Sequence, residues 1–499
     1  MKKILSIALI FTLCFTLFAC GDENNTDPTT TTTTQNSTTI TTTLKAETTT
    51  AKPVVKYIYR ISDGGAVITN VLGHPGPDVV IPETLDGHPV VGIEGLGFRN
   101  FCTIISVTIP STIEYIDSSV FYGCENLTRV NISDLSAWIE LDKEDDALAN
   151  CKDVYLNGDK VEFSGDFVIP EGTKKIGHSA FQNCKDLTGV TIPDSVTSIG
   201  AFAFSGCENL FSITIPESVT TIREYAFMNC TKLETLNLLG SVSTMYDVFA
   251  GCENLKTINA SNPTAWFESD FHPALGGTGT GSPLIYGADL YINGVKVDFS
   301  GNFVIPEGTK TIGNHTLGFS DEITSITIPS SVSKICGCAF DRDYGKRTNL
   351  KKVNITDLVA WCEIDFEYNW SIDFMGEEEA YEKGYYGTPL DSADLYLNGV
   401  KVDFSGDFAI PEGTKKIGDL AFCDFDEMTS ATIPSSVTSI GKLSFAGCDN
   451  LKSVTIPDSV TSIEDCAFTD CYNVTIHAKK GSYAYKYATD NNINVVALD

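Results

Sequence analysis

The side chains best suited to chemistry in this 499-residue chain are its 16 cysteines. Thiols can hold a metal, bridge in pairs or act as nucleophiles. Their spacing argues for a quieter role. Cys124, Cys184, Cys207, Cys230, Cys252, Cys448 and Cys471 each stand three residues after a phenylalanine. The same phase carries Phe101, Ser320 and Phe425 in other copies of the pattern. A ligand or bridge position would not accept phenylalanine, whereas a packing position would, so these read as buried thiols acting as small hydrophobes. Cys362 aligns with Ile139 and Phe267, and Cys338 and Cys466 align with Phe202, which extends the reading to them. Disulfides between neighbouring copies stay open for an exported chain. Cys336-Gly-Cys338 alone is a weak metal signal, so neither metal nor cofactor is expected.

Other catalytic arrangements are missing. The chain has no His-Glu-x-x-His, no Gly-x-Ser-x-Gly and no phosphate loop. The glycine-rich run 276–281 follows no strand pattern. His477 could be drawn with Cys471 as a dyad, but Cys471 holds the packing phase. No catalytic residue is assigned and an enzyme is not expected; a hydrolase using Glu377, Glu378 or Glu379 is the remaining form of that idea. The best candidates for touching a ligand are Trp370, Tyr381, Tyr385 and Tyr386. They lie in the longest insertion, and loop aromatics are plausible hot spots. The bland alternative is a loop folded on itself.

A repeated module must position all of these. Isoleucine-proline recurs at Pro170, Pro193 and Pro216, at Pro306 and Pro329, and at Pro411, Pro434 and Pro457, in steps of 23 residues within each group. Such a period marks a solenoid, in which each copy buries its apolar face only by stacking on its neighbours. Short β-branched runs such as Val190-Thr-Ile192 alternate inward and outward, and proline ends them. Ser195–Ile199 offers a second short strand. Ala203-Phe204, Cys207 and Leu210 are spaced as on a short helical or 3-10 segment. About fourteen turns at one strand spacing each are expected.

Three larger units interrupt the array, over about 134–168, 262–304 and 357–409. Trp138, Trp266 and Trp361 open them. Asp153–Gly158, Asp289–Gly294 and Asp394–Gly399 continue them with Asn-Gly hairpin turns. From each of those asparagines to the next Ile-Pro proline is 13 residues; from tryptophan to asparagine is 19, 27 and 37. The constant part reads as scaffold and the variable part as loop on one rim. A hairpin around Asp63-Gly64-Gly65 should cap the first open end, and residues 477–499 the last.

The N-terminus reads as an address. Lys2-Lys3 and the apolar run Ile4–Phe18 form a secretory signal, residues 1–19. Leu17-Phe18-Ala19-Cys20 resembles a bacterial lipobox, which implies a lipidated Cys20 and a membrane anchor. Residues 20–55 then form a disordered tether; 14 of the 22 residues from Thr29 to Thr50 are threonine. The folded part spans 56–499.

The pattern Ile-Pro-x-Ser-Val-Thr-Ser-Ile-Gly-x-x-Ala-Phe-x-x-Cys-x-x-Leu, seen at 192–210 and closely at 456–471, resembles the BspA-like class of leucine-rich repeat. The resemblance implies a right-handed solenoid in one elongated domain, carried on a bacterial cell surface, and a role in adhesion. The reading is therefore a lipid-anchored, extracytoplasmic module that binds a protein or glycan on a host cell, neighbouring cell or matrix. A scaffold for the cell's own envelope is the alternative. The net charge of −31 repels phosphate backbones, so no nucleic-acid partner is expected. The chain is expected to be a monomer.

Overall fold

The computed structural model describes residues 55–499, apart from 63, 145–147, 149–150, 152, 243–244, 273–281, 318–322, 344–345, 348, 368–392 and 465. The chain divides into two units, Met1–Thr41 and Thr42–Asp499, and every described residue lies in the second.

One turn shows how the sequence makes the fold. Strand Ser212–Ile215 turns Ile213 and Ile215 inward and leaves Ser212 and Thr214 outward. Pro216 cannot donate to a ladder, so the strand stops there. Val219 N–H closes a turn onto the Pro216 carbonyl at 3.1 Å and buries its side chain. The two-residue strand Thr221–Ile222 follows. The chain then returns through Ala226, Phe227, Cys230 and Leu233, all fully buried. Their spacing suggests a short helix, but the return path is a chain of tight turns. Cys230 bonds to Phe227 O, and Leu233 to Cys230 O, in three-residue steps. Tyr225 at φ 58° and Asn229 at φ 59° break any helical run.

Successive turns stack in two parallel ladders. In the long-strand ladder Ser212 pairs with Thr235, and Ile213 with Leu236. In the short-strand ladder Ser198 pairs with Thr221. Each phenylalanine lies on its counterpart one turn away: Phe181–Phe204 centroids are 5.1 Å apart, Phe204–Phe227 5.2 Å and Phe445–Phe468 5.2 Å, with interplanar angles of 3° or less. A single hydrophobic core runs from Ala66 to Ala488.

The fold is a β-solenoid of about 16 turns. The count exceeds fourteen because Asp153–Leu156, Asp289–Ile292 and Asp394–Leu397, inside the interruptions, are rungs of the long ladder themselves. Each ends its sheet, because the chain folds back antiparallel across Asn-Gly. Asn157, Asn293 and Asn398 have φ of 52°, 51° and 49°, and the glycines after them are also positive, as a type I′ turn requires. The long ladder is thereby cut into four sheets, and a new one starts at Gly165, Gly301 and Gly406.

Each junction also carries a short helix, Leu135–Glu140, Pro263–Phe267 or Leu358–Cys362, capped by Asp134, Asn262 or Asp357. Trp138, Trp266 and Trp361 on these helices are buried. At the first end, Lys56–Ser62 pairs antiparallel with Gly65–Leu72, which joins the short-strand ladder. At the other end, helix Tyr483–Asp490 buries Ala484 and Ala488, and Asn494–Leu498 adds a last parallel strand.

Candidate functional site

Cys20, Trp370, Tyr381, Tyr385, Tyr386 and Glu377–Glu379 lie outside the described residues. Among the described residues, no group of three His, Cys, Asp or Glu could hold a metal ion. No helix there is long and apolar enough to cross a membrane.

Six of the seven cysteines that stand three after a phenylalanine are buried, and the structure gives them a second task. Cys124 Sγ donates to Phe98 O at 3.0 Å, Cys207 to Phe181 O at 3.1 Å, Cys230 to Phe204 O at 3.2 Å, and Cys252 to Phe227 O at 3.1 Å. Cys448 and Cys471 repeat the bond to Phe422 O and Phe445 O. Each thiol therefore ties its turn to a buried carbonyl of the preceding one; Phe181, Phe204, Phe227 and Phe445 O also accept the N–H three residues on. Phe101, Cys184 and Phe425 sit in the first full turn after an end or junction, where no such phenylalanine precedes them. Cys184 is only half-buried. Burial pushes its thiol up to about 12 and raises Cys207 further. These groups are poor nucleophiles. His477 stands on the outward row of its strand while Cys471 points inward, so they form no dyad.

Cys466 corrects the sequence reading: it is exposed, whereas Cys338 is buried. Its phase is a left-handed position, with φ 62° at Cys466 and 55° at Phe202. Phe202 is covered because Tyr225 of the next turn stacks on it at 5.1 Å. Cys466 belongs to the last such turn, and the cap that follows supplies no counterpart.

The structure also brings together a set that constancy had hidden. At every junction hairpin an aspartate, a tyrosine and a lysine share the solvent side. Lys160 pairs with Asp153 at 3.0 Å, Lys296 with Asp289 at 2.7 Å and Lys401 with Asp394 at 2.8 Å. Tyr155, Tyr291 and Tyr396 stand opposite those lysines in register. Arg129 lies 3.8 Å over the Tyr155 ring and Lys352 4.1 Å over Tyr396, while Thr257 takes the cation's place beside Tyr291. Val295 and Val400 are about 70% exposed beside them. The motif Asp-x-Tyr-x-Asn-Gly-x-Lys was readable three times in the sequence. It presents a rigid aromatic ring, one cation and one carboxylate: contact chemistry, with no group poised for bond-making.

One junction residue departs from its sisters. Phe271 packs on Trp266 at 4.7 Å and Phe366 on Trp361 at 5.2 Å. Lys143 holds that place in the first junction, with Nζ 4.4 Å over the Trp138 ring. The equivalence is fixed by matching bonds, Lys143 N–H to His178 O and Phe271 N–H to Asn314 O. Lys143 is buried, and burial pushes its ammonium down to about 7.

A family model described as BspA type leucine rich repeat region matches in six copies, over residues 90–154, 162–271, 299–368 and 405–489. No curated protein sequence matches. Three crystal structures share the likeness. The leucine rich repeat protein of T. pallidum is 28% identical, with 40% of this chain and 87% of that one covered and a TM-score of 0.25. A leucine-rich repeat protein from Bacteroides ovatus is 20% identical over 91% of this chain and 100% of its own, with a TM-score of 0.25. A leucine rich cell surface protein from Faecalibacterium prausnitzii is 22% identical over 90% and 100%, with a TM-score of 0.24.

Proposed function

We propose, from the premise that this chain belongs to the BspA-type leucine-rich repeat family, that it is a surface-displayed, lipid-anchored binding protein. Its partner is a protein or glycan on another cell or matrix. Cys20 carries the lipid, the threonine-rich segment projects the array, and the outward rows of the long ladder meet the partner. The observation that carries this reading is the threefold tyrosine edge. Tyr155, Tyr291 and Tyr396 sit on paired strands, held in place by their neighbours, and a preordered aromatic ring loses little freedom on binding. Trp370, Tyr381, Tyr385 and Tyr386 of the third insertion are the further candidate contacts.

The test has two arms. A fatty-acid analogue fed to producing cells should label the wild-type chain and leave Cys20→Ser unlabelled; equal labelling defeats the anchor. Purified Cys20→Ser protein should retain a specific partner from host-cell and matrix extracts. The triple variant Tyr155→Ala, Tyr291→Ala, Tyr396→Ala should lose at least tenfold in affinity. Retention no better than an unrelated acidic protein would remove the binding reading. Epitopes reachable only after cell lysis would favour an envelope scaffold.

A further inference from the structure

We infer that the array is mechanically four bodies rather than one, and that it lengthens in four discrete steps under tension. The blocks are 56–161, 165–296, 301–401 and 406–498, the spans of the four long-strand sheets with their short-strand partners. Inside a block the long ladder joins each turn to the next without a break, and short-strand ladders join most turns a second time, with one interruption between Thr221–Ile222 and Met245–Tyr246. Phenylalanine stacks and thiol-to-carbonyl bonds add to this in the first, second and fourth blocks. Across a junction both ladders stop. At the first junction the bonds that remain lie on the short-strand side. They include Lys143 N–H to His178 O at 3.1 Å, Gly177 N–H to Ile139 O at 2.8 Å, His178 N–H to Asp142 Oδ1 at 2.9 Å, Lys174 N–H to Glu140 Oε1 at 2.5 Å, Thr173 Oγ1 to Ser136 Oγ at 3.2 Å and the ion pair Lys175–Asp142. The second and third keep the same pair of backbone bonds, Phe271 to Asn314 with Gly313 to Phe267, and Phe366 to Asp419 with Gly418 to Cys362.

The junctions are also finished ends. Each of the first three blocks closes with a hairpin whose outer strand carries a charged lysine, as solvent-facing edges do. Each new block opens with a phenylalanine pair that fills the core behind it: Phe163–Phe167, Phe299–Phe303 and Phe404–Phe408, at 5.3, 5.2 and 5.0 Å. A block that parts from its neighbour thus exposes a capped surface rather than a raw strand edge. In a one-dimensional array the weak interfaces set the unit of cooperativity. The usefulness of such extension between an anchor and a partner rests on the display reading above; the four-step behaviour itself does not.

Single-molecule pulling of the full chain, held at its two ends, tests this. Four separate ruptures are expected. Each should release roughly 300–450 Å of contour, the extended length of one block. A single rupture releasing the whole array overturns the inference. So does a staircase of roughly 80 Å steps, the length of one 23-residue turn. Hydrogen exchange on the unmodified chain at low denaturant gives a second readout. Amides should exchange in four groups whose borders fall at the three Asn-Gly hairpins, and borders elsewhere overturn it.

Discussion

The turns from Gly165 to Ala260 and the junction from Leu135 to Val168 both feed rungs to the long ladder, yet they stabilise them in different ways. In the regular turns nearly every side chain rests on its own counterpart one turn away: phenylalanine on phenylalanine, thiol on carbonyl. Asn209 Nδ2 donates to Lys185 O at 2.7 Å, and Asn254 Nδ2 to Thr231 O at 2.6 Å, by the same rule. The junction has no counterpart on one side. It uses a capped helix, a buried tryptophan and a hairpin instead. Repetition makes the first region tolerant of length and intolerant of cavities. The second can vary its loop from 19 to 37 residues between tryptophan and asparagine without disturbing the scaffold.

Point mutations put this difference to the test. The largest effect is expected from Phe204→Ala, which empties a fully buried place in the middle of a stack. It should cost about 3–5 kcal/mol, seen as early exchange of block 165–296 while block 406–498 keeps its protection. Next comes Lys143→Met. The folded-state value of about 7 lies below the ordinary 10.5, so between them the unfolded chain holds a proton that the folded chain lacks. The wild type should therefore gain stability as pH rises from 7 towards 10, and below 7 it bears the full cost of a buried ammonium. The methionine variant should be more stable by up to about 3 kcal/mol at pH 6, with the gain fading near pH 10. Denaturant titrations at both pH values check this, and equal stability at both would refute it.

Cys207→Ala should cost about 1–2 kcal/mol, from one lost hydrogen bond and a small void, since the Phe181 carbonyl keeps the Cys184 N–H at 3.1 Å. Cys207→Ser should recover part of that, and Cys184→Ala should cost less than Cys207→Ala. Equal losses for the two alanine variants would mean that packing alone sets the thiol phase. The smallest effect belongs to Asn293→Ala, about 1 kcal/mol from a left-handed turn position, read as a small shift in the midpoint of block 165–296.

Much of this was legible beforehand. The 23-residue period, the Asn-Gly hairpins and the buried tryptophans follow from patterns that lie along the chain. What stayed hidden depends on the neighbouring turn. Cys466 shares its phase with Phe202, but phase does not say whether a Tyr225 comes next to cover it. The thiol bond to a carbonyl 26 residues back leaves no local trace, so the cysteines read as packing alone. Tyr155, Tyr291 and Tyr396 were passed over for a different reason. Their constancy looked like scaffold, and only the register showed that their rings face solvent beside Lys160, Lys296 and Lys401.

The donor-to-acceptor offset in the regular turns has an outcome for how such a chain can change size. Since the acceptor for each Asn or Cys donor is supplied by the homologous segment one turn earlier, a duplicated 23-residue stretch arrives with every acceptor it needs and supplies the same set to whatever follows. Whole-turn additions are therefore close to neutral anywhere between two hairpins. Loss of a single residue is felt only in the turn that loses it: Cys252 reaches Phe227 O across 25 residues where Cys207 reaches Phe181 O across 26, and Cys448 and Cys471 further on keep the 26-residue offset.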